Sequence, residues 1–176
     1  MLEDNFLGNL IRRGIPELIV LSAAVIFAVW LYGKISCRVY GGIDSRVVLL
    51  TSGTMLVGPF LIVNGIFKTF WGRARPRDID LFGGSKAFSL PLEISNQCAW
   101  DCSFMSGHTA VAFWLLAPAL LAPKKFRPFA VAAALLFGVT TAVFRIGQGA
   151  HFFSDVAFSA LVMSLLVVAG YRRAGL

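Results

Sequence analysis

Two histidines occur among 176 residues, and each stands in a short polar patch between long apolar runs. His108 closes the triplet Ser106-Gly107-His108, and His151 lies between Arg145 and Asp155. A third patch, Lys68 to Arg75-Pro76, precedes both. Histidine changes charge near neutral pH, so it can act as a nucleophile or carry a proton. His151 and Asp155 share a face if a helix has begun there. A carboxylate bonded to one ring nitrogen would fix the tautomer and leave the other nitrogen free to attack. The plain alternative is a polar helix start, with Asp155 near the positive end of the dipole.

Lys68 and Arg145 directly follow apolar runs, and Arg75 stands seven residues after Lys68. Three neighbouring cations repel one another unless an anion joins them, and arginine presents a planar fork that matches phosphate oxygens. Each taken singly could instead snorkel to lipid headgroups. Ser106-Gly107-His108 opens an apolar run, where a helix N-terminus offers free N–H groups to an anion. Gly107 would let that anion approach the backbone, and Ser106 would add a hydroxyl. The alternative is a serine cap with a buried histidine. Metal ligation by His151 and Asp155 is disfavoured, because the surrounding cations would repel a metal ion. No nearby Cys-x-x-Cys or His-x-x-x-His completes a ligand set either. The residues therefore point to metal-free and cofactor-free chemistry on a phosphate.

The elements that must carry these patches are apolar. The chain is 57% hydrophobic and 14% charged, against roughly 25% charged residues in a soluble domain. Five runs approach the ~20 residues that a spanning helix needs: Ile15–Tyr32, Val47–Phe67, Ser106–Leu121, Pro128–Phe144 and Phe152–Gly170. The expected fold is a single all-α, polytopic membrane bundle over 1–176, with about five transmembrane helices. Leu2, Phe6, Leu7, Leu10 and Ile11 fall at helical spacing among Glu3, Asp4 and Arg12. Met1–Gly14 therefore reads as a helix lying in the interface, and its leading acids argue against a signal peptide. The net charge of +7 is spread between apolar spans, not gathered into a stripe, which argues against nucleic acid. The expected partners are the bilayer and a lipid phosphate.

Counting crossings puts the 68–105 loop and the 145–155 segment on one side, so all three patches meet there. The other side holds Lys34, Arg38 and Arg46, then Lys124, Lys125 and Arg127, then Arg172 and Arg173. By the positive-inside rule that side is cytoplasmic, against the contrary pair Arg12 and Arg13. The patches then face the periplasm from a bacterial inner membrane. The 68–105 loop is too long to be a plain connector, and its aromatic residues point to short helices at the interface. Cys98 and Cys102 lie in this loop, on the oxidising side, where a disulfide is expected. Two free thiols in an apolar patch is the alternative.

In order along the chain, Lys-x6-Arg-Pro (Lys68–Pro76), Ser-Gly-His (Ser106–His108) and Arg-x5-His-x3-Asp (Arg145–Asp155) resemble the motifs of the type 2 phosphatidic acid phosphatase (PAP2) superfamily of lipid phosphatases. Met105 stands where that family commonly has proline, and Phe144 where it commonly has serine. Neither change removes a charged or nucleophilic group. The family often has six spans against five here. The resemblance implies that Lys68, Arg75, Arg145, Ser106 and the Gly107 amide hold the phosphoryl group. It also implies that His151 attacks phosphorus to form a phosphohistidine, Asp155 orients His151, and His108 protonates the leaving oxygen. Phe82-Gly83-Gly84 and the segment Asn96–Phe104 look most like the bacterial lipid A phosphatase branch, which implies lipid A, at its 1-phosphate, as substrate. Undecaprenyl pyrophosphate, phosphatidylglycerol phosphate and phosphatidic acid are the alternatives. A non-catalytic anion-binding or transport protein is the alternative class, though transporters place polar sites near the midplane. A vanadate-dependent peroxidase shares the motifs but would normally be soluble.

Overall fold

The computed structural model describes residues 14–176. The expected interfacial helix over 1–14 falls almost wholly outside the described residues. Five helices follow: α1 (Ile15–Ile35), α2 (Ser45–Phe70), α3 (Gly107–Leu120), α4 (Arg127–Gly147) and α5 (Phe153–Ala174). Four are long and apolar enough to cross a membrane, and α3 is a shorter apolar helix. The fold is an all-helical polytopic bundle. The helices run past the apolar stretches of the sequence. Lys34, Lys68, Arg145, Arg172 and Arg173 thereby lie in last helical turns, where a cation suits the negative end of the dipole.

The short helix is the central one. Thr109 to Trp114 are all buried, as are Leu116, Ala117 and Ala119. Around it α2, α4 and α5 close the core, and Trp114 Nε1 donates to the Thr51 carbonyl of α2 at 2.9 Å. The helix breaks at Leu115. Pro118, four residues after Trp114, has no N–H to return to that carbonyl and its ring crowds it.

In α2, Leu49–Gly53 and Leu56–Phe67 are wound wider than an α-helix, with Pro59 inside the second stretch. Gly58 packs directly against α5, since a Cβ there would stand 2.2 Å from Met163 Sδ. Helix α1 is the outermost. Among its residues only Ala23 and Gly33 are buried, and Leu18, Leu21 and Val25 are exposed. Phe129, Leu136 and Leu165 are exposed on α4 and α5 as well. Lipid tails solvate such a surface, whereas water would not tolerate an apolar patch of that extent.

At one end of the bundle lie Asp44, which caps α2 through the Arg46 and Val47 amides, and Arg127, which donates to Tyr171 Oη at 2.9 Å. Lys68, Ser106, Arg145 and His151 lie at the opposite end. The loop over 71–106 covers that end and contains two short 3₁₀ turns, Pro76–Asp78 and Asp80–Phe82. Trp71 and Phe104 stack with centroids 5.3 Å apart, and Phe67 and Phe158 meet Phe104 edge-on. Gly72 has φ +65°, and a Cβ there would meet the Ser95 carbonyl at 1.6 Å, so only glycine lets the two loop strands touch. Arg77 N–H donates to the Gly149 carbonyl at 3.0 Å, tying the loop to the turn that carries His151.

Candidate active site

The site grows from the turn between α4 and α5. His151 is 1% exposed and sits just before the first turn of α5. Its Nδ1 lies 2.7 Å from the Ser103 carbonyl. A carbonyl only accepts, so Nδ1 carries the proton and Nε2 carries the lone pair. Nε2 is buried and makes no hydrogen bond among the described residues. Burial pushes the His151 pKa below its ordinary value. The charges of Arg145 and Arg75 push the same way, and Asp155 pulls against them. The ring is therefore neutral at neutral pH, with a nucleophilic nitrogen beside two cations.

The sequence leads one to expect Asp155 directly on the ring. The structure places its Oδ2 3.8 Å from Nδ1, an ion-pair distance and not a hydrogen bond. The Ser103 carbonyl fixes the tautomer, and Asp155 acts on the ring from one step back. The carboxylate is fully buried and fully engaged. Oδ2 accepts from Ser103 Oγ at 2.5 Å and from the Phe152 amide at 2.9 Å, which caps α5. Oδ1 pairs with Arg73 Nη1 at 2.5 Å. Arg73 is itself 2% exposed. It donates to Ser154 Oγ and to the Ser89 carbonyl and lies 4.1 Å from the Phe152 ring centroid.

Ser106 caps α3, with its Oγ accepting from the Thr109 amide at 3.4 Å. Its own amide points to the Asp155 carbonyl at 3.5 Å, which joins the start of α3 to the start of α5. A Cβ on Gly107 would point at Asn64 Oδ1, 3.4 Å away, and at Lys68 Cε, 3.8 Å away. The side of Gly107 that lacks a side chain thus faces the lysine. Lys68 and Arg75 converge on the carboxylate of Asp101. Lys68 Nζ pairs with Oδ1, and Arg75 Nη2 pairs with Oδ2 at 2.5 Å. Burial works to raise the Asp101 pKa, but Lys68 and Arg75 hold it below the usual carboxylate range. Arg145 is buried, and its Nη1 donates to Gln148 Oε1 at 2.6 Å.

His108 stands in the first turn of α3, half-buried, and borders a cavity of about 260 Å³ that it shares with Ile15, Ile19, Phe137, Thr140 and Phe144. Cys98 and Cys102 are joined by a disulfide, with Cα atoms 5.6 Å apart.

The structure therefore gathers Lys68, Arg75, Ser106, Gly107, Arg145, His151 and Asp155 at one end of the bundle, with His108 one residue beyond Gly107. Sequence reasoning missed Arg73, Asp101 and Ser103. Arg73 was visible as an extra cation inside the first motif. Asp101 and Ser103 flank Cys102 and match no motif.

The comparisons to known proteins find the same family that the sequence resembles. The family model of the PAP2 superfamily matches residues 46–175. The chain belongs to the PAP2 superfamily. It is 35% identical over 159 residues to a lipid A 4′-phosphatase of Francisella tularensis subsp. novicida, covering 90% of this chain and 71% of that protein. It is 43% identical over 118 residues to a lipid A 4′-phosphatase of Rhizobium leguminosarum, covering 66% of this chain and 50% of the relative. A third relative of that name, from Rhizobium etli, is 40% identical over 125 residues, 71% of this chain and 48% of the relative. The chain thus spans about half the length of the two Rhizobium proteins. No solved structure matches it. As a family member the chain is a PAP2-type lipid phosphatase, a phosphoric monoester hydrolase acting on lipids.

Proposed function

We propose that this protein removes the 4′-phosphate of lipid A at the periplasmic face of a bacterial inner membrane, through a phosphohistidine on His151. The observation that carries the chemistry is the buried imidazole, with Nδ1 held by the Ser103 carbonyl and Nε2 without a hydrogen bond among the described residues. The names of the three relatives support lipid A. They also favour the 4′ position over the 1-phosphate to which the sequence points. The cations grip phosphate and not sugar, so the same site chemistry serves either position.

In this reading Lys68, Arg75, Arg145, the Ser106 hydroxyl and the Gly107 amide hold the phosphoryl oxygens. Fixed positive charge stabilises the transition state by preorganisation. His151 Nε2 attacks phosphorus in line as the bond to the lipid oxygen breaks. His108 gives that oxygen its proton. The ring becomes positive on attack, and Asp155, 3.8 Å away, stabilises it. Water then attacks the phosphohistidine, with His108 taking its proton, and phosphate leaves with His151 restored. Arg73 and Ser103 act through Asp155 and the ring as positioning residues.

The test offers purified protein lipid A, undecaprenyl pyrophosphate, phosphatidylglycerol phosphate and phosphatidic acid side by side, with mass spectrometry locating the phosphate left on lipid A. Loss of the 4′-phosphate is expected. Loss of the 1-phosphate, or preference for another lipid, overturns the substrate. Binding without phosphate release from any of them points to the anion-binding alternative.

A further inference from the structure

The cations that the proposed function assigns to substrate already hold an anion, and it belongs to the chain. Both carboxylate oxygens of Asp101 are engaged, one by Lys68 and one by Arg75. Arg75 Nε and Nη2 also donate to the Asp101 carbonyl, at 3.2 and 2.9 Å. The arginine fork therefore closes on this one residue. The Lys68 and Arg75 side chains are 16% and 12% exposed, and that of Asp101 is 55% exposed. The carboxylate thus covers the cations from the solvent side. A cavity of about 230 Å³, lined by Asn64, Lys68, Thr69, Trp100 and Asp101, opens beside it.

The backbone is built to put Asp101 there. It lies one residue before Cys102, inside the loop closed by the Cys98–Cys102 disulfide, and holds a left-handed φ of +49°. Few non-glycine residues adopt that conformation. The disulfide limits the freedom that the residue would otherwise lose on pairing, so the internal anion is presented at high effective concentration.

We propose that Asp101 is an internal competing ligand of the phosphate site: it pairs with Lys68 and Arg75 in the ligand-free protein, is displaced by an incoming phosphate, and returns to displace the product phosphate. The inference rests on the proposed role of Lys68 and Arg75 in holding phosphate. A competitor within the chain weakens every anion by the same factor, since apparent affinity scales with the fraction of open site. A lipid substrate offsets that factor with contacts along its acyl chains. Free phosphate cannot, so product inhibition is held down.

The sign of one measurement decides it. Asp101→Asn keeps the size of the side chain and the carbonyl contact but removes the charge. Binding of inorganic phosphate to detergent-solubilised protein is read by calorimetry, and vanadate inhibition by its Ki. The expected result is tighter binding of both by a common factor of roughly tenfold, with the KM for lipid falling in step. A scaffold role for Asp101, holding two repelling cations together, predicts the opposite sign. Unchanged or weaker phosphate binding overturns the proposal. The Cys98→Ser/Cys102→Ser double variant frees the loop without touching a charge and should move phosphate affinity the same way by a smaller factor. No change there, in protein with a wild-type circular dichroism spectrum, overturns the role given to the disulfide. Phosphate binding needs no turnover. If lipid A is not hydrolysed yet Asp101→Asn tightens phosphate, the substrate reading fails and this one stands. If lipid A is hydrolysed and the variant binds phosphate no tighter, the reverse holds.

Discussion

His151 depends on what holds it from behind. With Nδ1–H given to the Ser103 carbonyl at 2.7 Å, attack by Nε2 needs no prior loss of a proton. His151→Ala is expected to abolish phosphate release and to remove an acid-labile, base-stable phosphoryl label that the wild type takes up. The protein should still fold and insert. Full activity in that variant would end the mechanism. The pH dependence follows from the lowered pKa of the ring. Protonation silences Nε2, so the acid limb of kcat/KM should fall below the ordinary histidine value of about 6.5. The native ring resists a proton that the unfolded chain accepts. Stability is therefore expected to drop as pH falls through that ordinary value toward the lower native one. An acid limb at or above 6.5 would contradict the buried, cation-flanked ring. Arg73 is the residue whose loss should hurt most for its distance from phosphorus. Arg73→Ala leaves Asp155 buried without its ion-pair partner, which typically costs about 3–5 kcal/mol. A melting temperature in detergent within a degree of wild type would contradict that. Lys68, Arg75, Arg145, Asp155 and the two imidazoles were legible in the sequence because spacing between apolar runs marks them. Arg73, Ser103 and Asp101 were not. Ser103 uses its backbone carbonyl, which any residue possesses, and Asp101 meets Lys68 across 33 residues of chain.

Among the elements, the five apolar runs map onto five helices, since a run of that length has few other fates in a bilayer. Their winding was less visible. Pro118 breaks α3 and Pro59 lies within the wide stretch of α2, yet membrane helices tolerate proline when neighbours satisfy the freed carbonyls. Which face of α2 meets α5 was hidden too, because an all-round apolar helix has no stripe to read. Glycine supplies that information only after the fold is known. Gly58→Val should force Met163 aside, because a Cβ there would stand 2.2 Å from its sulfur. Overpacking of this kind costs about 1–3 kcal/mol. Gly53→Ala, where the nearest atoms to a new Cβ stand 3.7 Å away, is the control and should be neutral or slightly stabilising. Thermal melts of the two variants in the same detergent make the comparison. Equal melting temperatures would mean that α2 and α5 do not pack through Gly58.

For the whole molecule, the three motifs must sit at one end of the bundle, and that follows from parity together with the central place of α3. Its start carries Ser106 beside Asp155. Its far half leads through Leu121 to Arg127, which bonds Tyr171 near the end of α5. A helix joining opposite ends separates the motif end from the end that holds Lys124, Lys125 and Arg127. Which end faces the cytoplasm is a question of charge. The three basic clusters opposite the motifs support the proposed periplasmic site, by the rule for positive loops. Ser85 and Lys125 are both exposed, one at each end. With Cys37, Cys98 and Cys102 replaced, a cysteine at position 85 should react with an impermeant thiol reagent in intact spheroplasts. One at position 125 should react only after permeabilisation. The reverse pattern would turn the site to the cytoplasm, where a substrate displayed only on the outer leaflet cannot reach it. It would then favour phosphatidylglycerol phosphate over lipid A, even with every distance at His151 unchanged.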